Sequence, residues 1–358
     1  MKAACFSLLA GALLPLAGCR SVERTSIPEL PPGRVLAVEG HNLFVRQKGA
    51  GPNVVLLHGL GDSSIGWQFI EPALIQAGYR VTVWDALGAG RSDKPRDGDY
   101  SIQAHVRRLE EVLGALGIKQ AVIVGHSLGG SVALRFVEQH PEKVQALCLI
   151  DPAAYRAGAM GGRWFWTTPL LAGAVLGLLP ASALTRLGLN QNFHNHAAIS
   201  KELACMYLRE ARRDGAIAAL IAQERQLVPR NPEEWEQAHG TIQKRSLILW
   251  GREDKLVPVA QGTRLAGDIH NSTLVVFPGV GHSPHLEVPQ LVLGQLLPFL
   301  KQVASAFVTI KSRFGAGDEM VPSPPLTAPD PPRTPRPNPG ALPGPPASAA
   351  RGRCAYLL

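Results

Sequence analysis

Short apolar runs recur along the chain at 53–57, 80–85, 121–124, 144–150, 246–250 and 272–277. They are largely apolar throughout, without strict alternation, which is the pattern of strands buried on both faces. Residues 34–45 differ: two β-rich stretches around Glu39-Gly40-His41-Asn42 predict a hairpin. Between the runs, apolar positions return at helical spacing over 67–76, 102–116, 129–139, 260–267 and 286–303. Alternation of this kind predicts an α/β fold, a mostly parallel central sheet flanked by helices.

The alternation stops over 153–244. That stretch opens with a strongly apolar piece, 164–179, and continues into 200–226, rich in Ala, Leu, Arg and Glu. A membrane-spanning helix needs about 20 apolar residues. Pro169 inside the piece and Pro180 after it argue against one. An inserted helical cap over a binding site fits better, leaving 34–152 and 245–303 as the core. From 304 the composition changes, and over 321–346 proline is so frequent that no core can form. Residues 304–358 are therefore expected to be a disordered tail.

Composition changes this picture little. The chain has 358 residues, 46% apolar and 18% charged, enough to build a full core. The net charge of +8 is scattered, with no basic stripe, so nucleic acid is not an expected partner. The five cysteines show no CxxC or Cys/His cluster, so no metal site is expected, and Cys148 reads as a buried strand residue. The N-terminus adds more. Lys2 precedes an apolar stretch, 3–16, too short to cross a bilayer, which ends in Leu16-Ala17-Gly18-Cys19. That tetrapeptide resembles the lipobox of bacterial lipoproteins. The resemblance implies cleavage of a signal peptide, 1–18, before Cys19. It also implies lipidation of the Cys19 thiol and a tether over 19–33, with Pro28, Pro31 and Pro32. The membrane would then be a partner through this anchor. Arg20 stands where an aspartate would retain a lipoprotein at the inner membrane, which favours an outer-membrane or periplasmic location. An ordinary secretory signal, with Cys19 incidental, is the competing reading.

The chemistry centres on Gly125-His126-Ser127-Leu128-Gly129. Ser127 follows the strand at 121–124 and opens a helix. Strand, sharp turn, nucleophile and helix make the context of a nucleophile elbow. A serine hydroxyl is a weak nucleophile and needs a base that is itself oriented by an acid. Asp254 follows the strand at 246–250, and His282 follows the one at 272–277. Both fall on loops at the carboxyl ends of parallel strands, where open α/β sheets build their sites. Asp151, at the end of the strand 144–150, is an alternative acid. Asp85 also ends a strand but precedes the serine and reads as structural, and Glu253 is expected to point away. The N–H groups of Leu60 and Leu128 are the expected oxyanion-hole donors, with His58 bracing the loop of Leu60. His126, Trp164, Phe165 and Trp166 are candidate substrate-binding residues, and His285 is expected to open the last helix.

Four segments together resemble the α/β-hydrolase superfamily over 34–303. They are Leu57-His58-Gly59-Leu60-Gly61, residues 85–95, Gly125-His126-Ser127-Leu128-Gly129-Gly130 and residues 281–287. Gly88-Ala89-Gly90 departs from the Gly-His-Gly usual in the second. The resemblance implies the triad Ser127, Asp254 and His282, and a small-molecule ester as substrate, with no cofactor. Carbon–carbon hydrolases of meta-cleavage products, cofactor-free haloperoxidases and aminopeptidases share the pattern. A non-catalytic binding module on the same scaffold is the reading from another class.

Overall fold

The computed structural model describes residues 31–155, 179–227 and 231–314. Its strands form a single eight-stranded sheet in the order β1-β2-β4-β3-β5-β6-β7-β8. The hairpin is β1 (Arg34–Val38) and β2 (His41–Lys48), and β2 runs on to pair antiparallel with β4 (Arg80–Trp84). The remaining neighbours are all parallel: β3 (Asn53–Leu57), β4, β5 (Ala121–His126), β6 (Val144–Ile150), β7 (Ser246–Gly251) and β8 (Ser272–Phe277).

The apolar runs divide their side chains between two cores. Val55, Leu57, Ile123, Leu147, Leu149 and Ile248 face one, while Val54, Leu56, Val122, Val124, Cys148 and Leu249 face the other. Period-two alternation is present, but both phases are buried. The first core is closed by α2 (Ile102–Ala115), α3 (Leu128–Gln139) and α8 (Ala260–Asp268). The second is closed by α1 (Ile70–Gln76) and α10 (Pro289–Phe314). Between β6 and β7 the described residues carry only helices: α4 (Ala181–Asn192), α5 (Lys201–Ala211), α6 (Ala216–Gln226) and α7 (Pro232–Ala238). Leu189, Phe193, Leu203 and Ala204 of this region bury themselves with Leu286 of α9 (Pro284–Glu287). Among the described residues, no helix is long and apolar enough to cross a membrane.

Three helix boundaries differ from expectation. The stretch at 67–76 divides into a short 3-10 turn, Ser64–Trp67, and α1, because the Ser63 hydroxyl caps the turn at the Ile65 N–H. The helix expected from 286 begins at Pro284 and stops after one turn. Pro289 holds the preceding Val288 out of the helical region, at φ −135° and ψ 57°. His285 therefore lies within α9 and does not open the last helix. Finally, α10 runs past 303 to Phe314, since no glycine or proline falls between residue 304 and Phe314.

Candidate active site

The carboxyl ends of β5, β6, β7 and β8 deliver Ser127, Asp151, Asp254 and His282 to one edge of the sheet. Ser127 sits between β5 and α3 with φ 51° and ψ −116°, a region that non-glycine residues rarely adopt. Such strain costs about 1–3 kcal/mol and persists only where packing over-determines it. Here it does. The Ser127 N–H donates to the Ile150 carbonyl at 3.0 Å, and the Ser127 carbonyl accepts from Gly130 and Ser131. A side chain at Gly129 would place its Cβ 2.2 Å from the Leu57 carbonyl oxygen and 2.6 Å from that of His58. Both obstacles are backbone. Gly129→Ala is thus expected to destabilise the protein by about 1–3 kcal/mol as overpacking. A urea midpoint equal to that of the unaltered chain would contradict this packing.

The Ser127 hydroxyl lies 2.9 Å from His282 Nε2, and His282 Nδ1 lies 2.6 Å from Asp254 Oδ2. Asp254 is fixed in turn: its Oδ1 accepts the N–H groups of Leu256 and Val257 at 2.8 and 2.9 Å. With Nδ1 facing a carboxylate, the imidazole carries its proton there and turns the Nε2 lone pair to the serine. Serine, histidine and Asp254 are thus brought together. Asp151 is brought beside them but does not take the place of Asp254 against His282 Nδ1. Its Oδ1 accepts from the Gly251 N–H at 2.9 Å. Glu253 does point elsewhere, accepting from the Val280 N–H at 3.0 Å.

Leu128 is the first residue of α3, so its N–H has no intrahelical acceptor. The loop of Leu60 crosses directly over the elbow. A Cβ on Gly59 would stand 2.9 Å from His126 Nδ1 and 3.1 Å from the Ser127 Cβ, so only glycine admits this approach. His58 braces that loop from both ring nitrogens. Nδ1 donates to the Gly59 carbonyl at 2.8 Å, and Nε2 accepts from Ala86 N–H at 3.0 Å. Asp85 is structural, accepting from the N–H groups of Ser64 and Arg91 at 2.7 and 2.8 Å. It also requires the glycine at 90, a position at which the segment keeps the Gly-His-Gly pattern. A Cβ on Gly90, whose φ is +48°, would lie 2.2 Å from Asp85 Oδ2.

His126 is placed as a support for His282. It is 4% exposed, and its Nε2 donates to the His282 carbonyl at 2.8 Å. The other candidate substrate-binding residues, Trp164, Phe165 and Trp166, lie outside the described residues, as does Cys19. Several supports had no sequence signal. The Asn192 carbonyl, at the end of α4, accepts the His282 N–H at 2.7 Å. Glu287 accepts the N–H groups of Gly281, His194 and Asn195, joining the histidine loop to the helical region. Tyr207 of α5 donates to Asp62 Oδ1 at 2.8 Å, joining that region to the loop of Leu60. Apart from Gly281 and Glu287, these partners are tens of residues apart in sequence and belong to no local motif.

Two groups of residue types able to ligate a cation occur among the described residues: Asp62, His126 and His285, and Asp151, Asp254 and His282. In the first group burial raises Asp62 to about 6, and burial lowers His285 to about 3. Burial also lowers His105, in α2, to about 3, with the Arg108 charge adding to it. For His105 and His285 the folded chain binds fewer protons than the unfolded chain, whose histidines titrate near 6.5. Their stabilisation is therefore complete above pH 6.5 and is lost as pH falls below it towards 3. Each contributes about 1.4 kcal/mol of loss per pH unit in that window. Between pH 7.5 and 5.5 the two together are expected to lower the unfolding free energy by roughly 3 kcal/mol, and Asp62, which takes up a proton in the folded chain over the same window, to restore about 1 kcal/mol of it. Urea titrations at both values check this; equal midpoints would show that these imidazoles stay accessible to protons.

Comparisons with known proteins agree with the geometry. The family model of the alpha/beta hydrolase fold matches residues 52–289. The chain is 32% identical over 272 residues to a 2-hydroxymuconate semialdehyde hydrolase of Pseudomonas putida, covering 73% of this chain and 90% of that one. Among solved structures, a meta-cleavage product hydrolase from Pseudomonas fluorescens superposes with a TM-score of 0.65 at 25% identity, covering 75% of this chain and 98% of that one. A protein provisionally described as a lipase, from Acinetobacter baumannii, superposes with a TM-score of 0.67 at 28% identity, covering 77% and 92%. A nucleophile-elbow turn at the centre of an eight-stranded, mostly parallel sheet, matched by this family model over most of the chain, leads to one assignment: the chain belongs to the alpha/beta hydrolase fold family.

Proposed function

We propose that this hydrolase cleaves a carboxylic ester with a lipophilic acyl or alcohol group, through an acyl-enzyme on Ser127. The observation that carries the reading is the unbroken hydrogen-bond chain from the Ser127 hydroxyl through His282 to Asp254, at 2.9 and 2.6 Å. His282 takes the serine proton as Ser127 Oγ attacks the ester carbonyl, and then gives it to the leaving alcohol. Asp254 holds the tautomer and stabilises the imidazolium. The N–H groups of Leu60 and Leu128 bind the developing oxyanion, for which each donor contributes about 10²–10³ in rate. A water activated by His282 then releases the acid. Trp164, Phe165 and Trp166 supply the apolar contact to substrate.

A second reading is hydrolysis of a carbon–carbon bond in a ring-cleavage product, favoured by the names of the relatives at 32% and 25% identity. Both readings use the same serine, base and oxyanion donors, so substrate decides between them. p-Nitrophenyl esters of graded chain length, assayed beside a ring-opened dienoate and an amide, make the test. The ester reading expects kcat/KM to be highest for esters and to rise with acyl length. Preference for the dienoate would overturn it in favour of the second reading.

The lipobox resemblance at Leu16-Ala17-Gly18-Cys19 supports the reading that this activity is held on a membrane facing the periplasm, through a lipidated Cys19. Two or more acyl chains anchor stably, unlike one. Cys19→Ser is expected to shift the protein from the membrane to the soluble fraction; retention in the membrane fraction would refute the anchor.

A further inference from the structure

We propose that Asp151 is a positioning residue of the active site: its carboxyl group carries a proton and donates it in a hydrogen bond to the Asp254 carboxylate, fixing Asp254 against His282. This rests on the hydrolase reading above. The Asp151 side chain is fully buried. Oδ1 accepts the N–H of Gly251, the last residue of β7 and three before Asp254. Oδ2 is buried and faces no donor. What it has beside it is another carboxyl group. A carboxylate oxygen of each aspartate and a ring nitrogen of His282 lie within 4.8 Å of one another, so a proton on either aspartate places the two carboxyl groups as donor and acceptor.

Two carboxylates are both acceptors, so this bond exists only when one of them holds a proton. The surroundings decide which. Asp254 accepts three N–H groups, those of His282, Leu256 and Val257, all of which favour its charged form. Asp151 accepts one. Burial, and then the Asp254 charge, hold the Asp151 carboxyl well above the usual range, with Glu287 on α9 adding to the shift. The backbone is committed to the arrangement. Asp151 has φ +43°, strained for a residue with a Cβ, and its N–H is held by the Leu249 carbonyl at 3.0 Å. The groups that bear on this proton are Asp254 on the loop after β7, His282 on the loop after β8 and Glu287 on α9. His126, at the end of β5, faces His282 from the other side.

A neutral donor here orders Asp254 without placing a second negative charge beside the imidazole. Asp151→Asn preserves that pattern, since its carbonyl accepts from Gly251 and its amide N–H donates to Asp254. Asp151→Ala removes both. Steady-state kinetics on a p-nitrophenyl ester across pH read the difference. The Asn variant is expected to keep kcat within about threefold, with the acidic limb of kcat/KM in place. The Ala variant is expected to lose about 10–100-fold in kcat, the value of a hydrogen bond to a charged group. Its KM should hold, and its acidic limb should lie at higher pH than that of the Asn variant. Three results would overturn the proposal: an Ala variant of full activity; an Asn variant whose limb moves to lower pH, which means that Asp151 was ionised; or equal losses in both with the limb unmoved, which means a packing role alone. Failure of the hydrolase reading itself looks different. In that case Ser127 of the unaltered chain resists a fluorophosphonate, whereas failure at Asp151 leaves that labelling intact.

Discussion

Ser127→Ala is expected to lower kcat by about 10⁴-fold or more and to leave folding stability close to that of the unaltered chain or above it. The first half follows from the geometry. The Ser127 hydroxyl is the atom that His282 Nε2 addresses, at 2.9 Å. Among the described residues it is the hydroxyl that also stands under the loop of Leu60 and at the first N–H of α3. Without it no covalent intermediate forms, and only binding and the oxyanion donors remain. The second half follows from the backbone. The side-chain hydroxyl is bonded to the histidine, while the hydrogen bonds that hold the turn come from the main chain. Alanine keeps the same Cβ, so the strained φ is neither relieved nor worsened. Steady-state turnover and thermal melting of the purified variant measure both halves. Residual activity above about one per cent of the unaltered rate would show that another nucleophile operates.

Asp254→Asn is expected to cost about 10⁴-fold in kcat, against little or no loss for Asp151→Asn. The contrast tests which of two neighbouring aspartates serves the histidine. Asp254 Oδ2 meets His282 Nδ1 at 2.6 Å, whereas Asp151 Oδ1 accepts from the Gly251 N–H. An amide at 254 offers either a carbonyl, which cannot balance an imidazolium, or an N–H, which drives the histidine into the other tautomer and turns its proton towards the serine. The same change at 151 exchanges the O–H donor of the proposed bond for an amide N–H. If Asp151→Asn alone abolished turnover, the acid would have to be reassigned to Asp151.

Much of this arrangement is legible in the chain because it is local. Buried parallel strands need continuous apolar runs, and the runs at 53–57, 144–150 and 272–277 match β3, β6 and β8 residue for residue. Ser127, Asp254 and His282 are legible because each directly follows such a run, and because the order of serine, acid and histidine constrains the choice. What is not legible is whatever joins distant segments. Nothing near Asn192 says that its carbonyl will hold the His282 N–H, and nothing in Pro284-His285-Leu286-Glu287 says that Glu287 will gather three N–H groups from two segments. The two aspartates at 151 and 254 show the limit well. Both end strands in the right order, so sequence leaves both in play. Only the side-by-side placement of β6 and β7, with Gly251 N–H turned to Asp151, separates the acid from its neighbour.

The central claim is that Ser127 is a nucleophile activated by His282. Reaction with a fluorophosphonate, followed by peptide mass spectrometry, tests it without any assumption about substrate. One adduct is expected, on Ser127, absent in Ser127→Ala and slower to form in the unaltered chain as pH falls; it would be carried by the hydroxyl that lies 2.9 Å from His282 Nε2. An adduct on any other residue, or labelling that persists in Ser127→Ala, would contradict it.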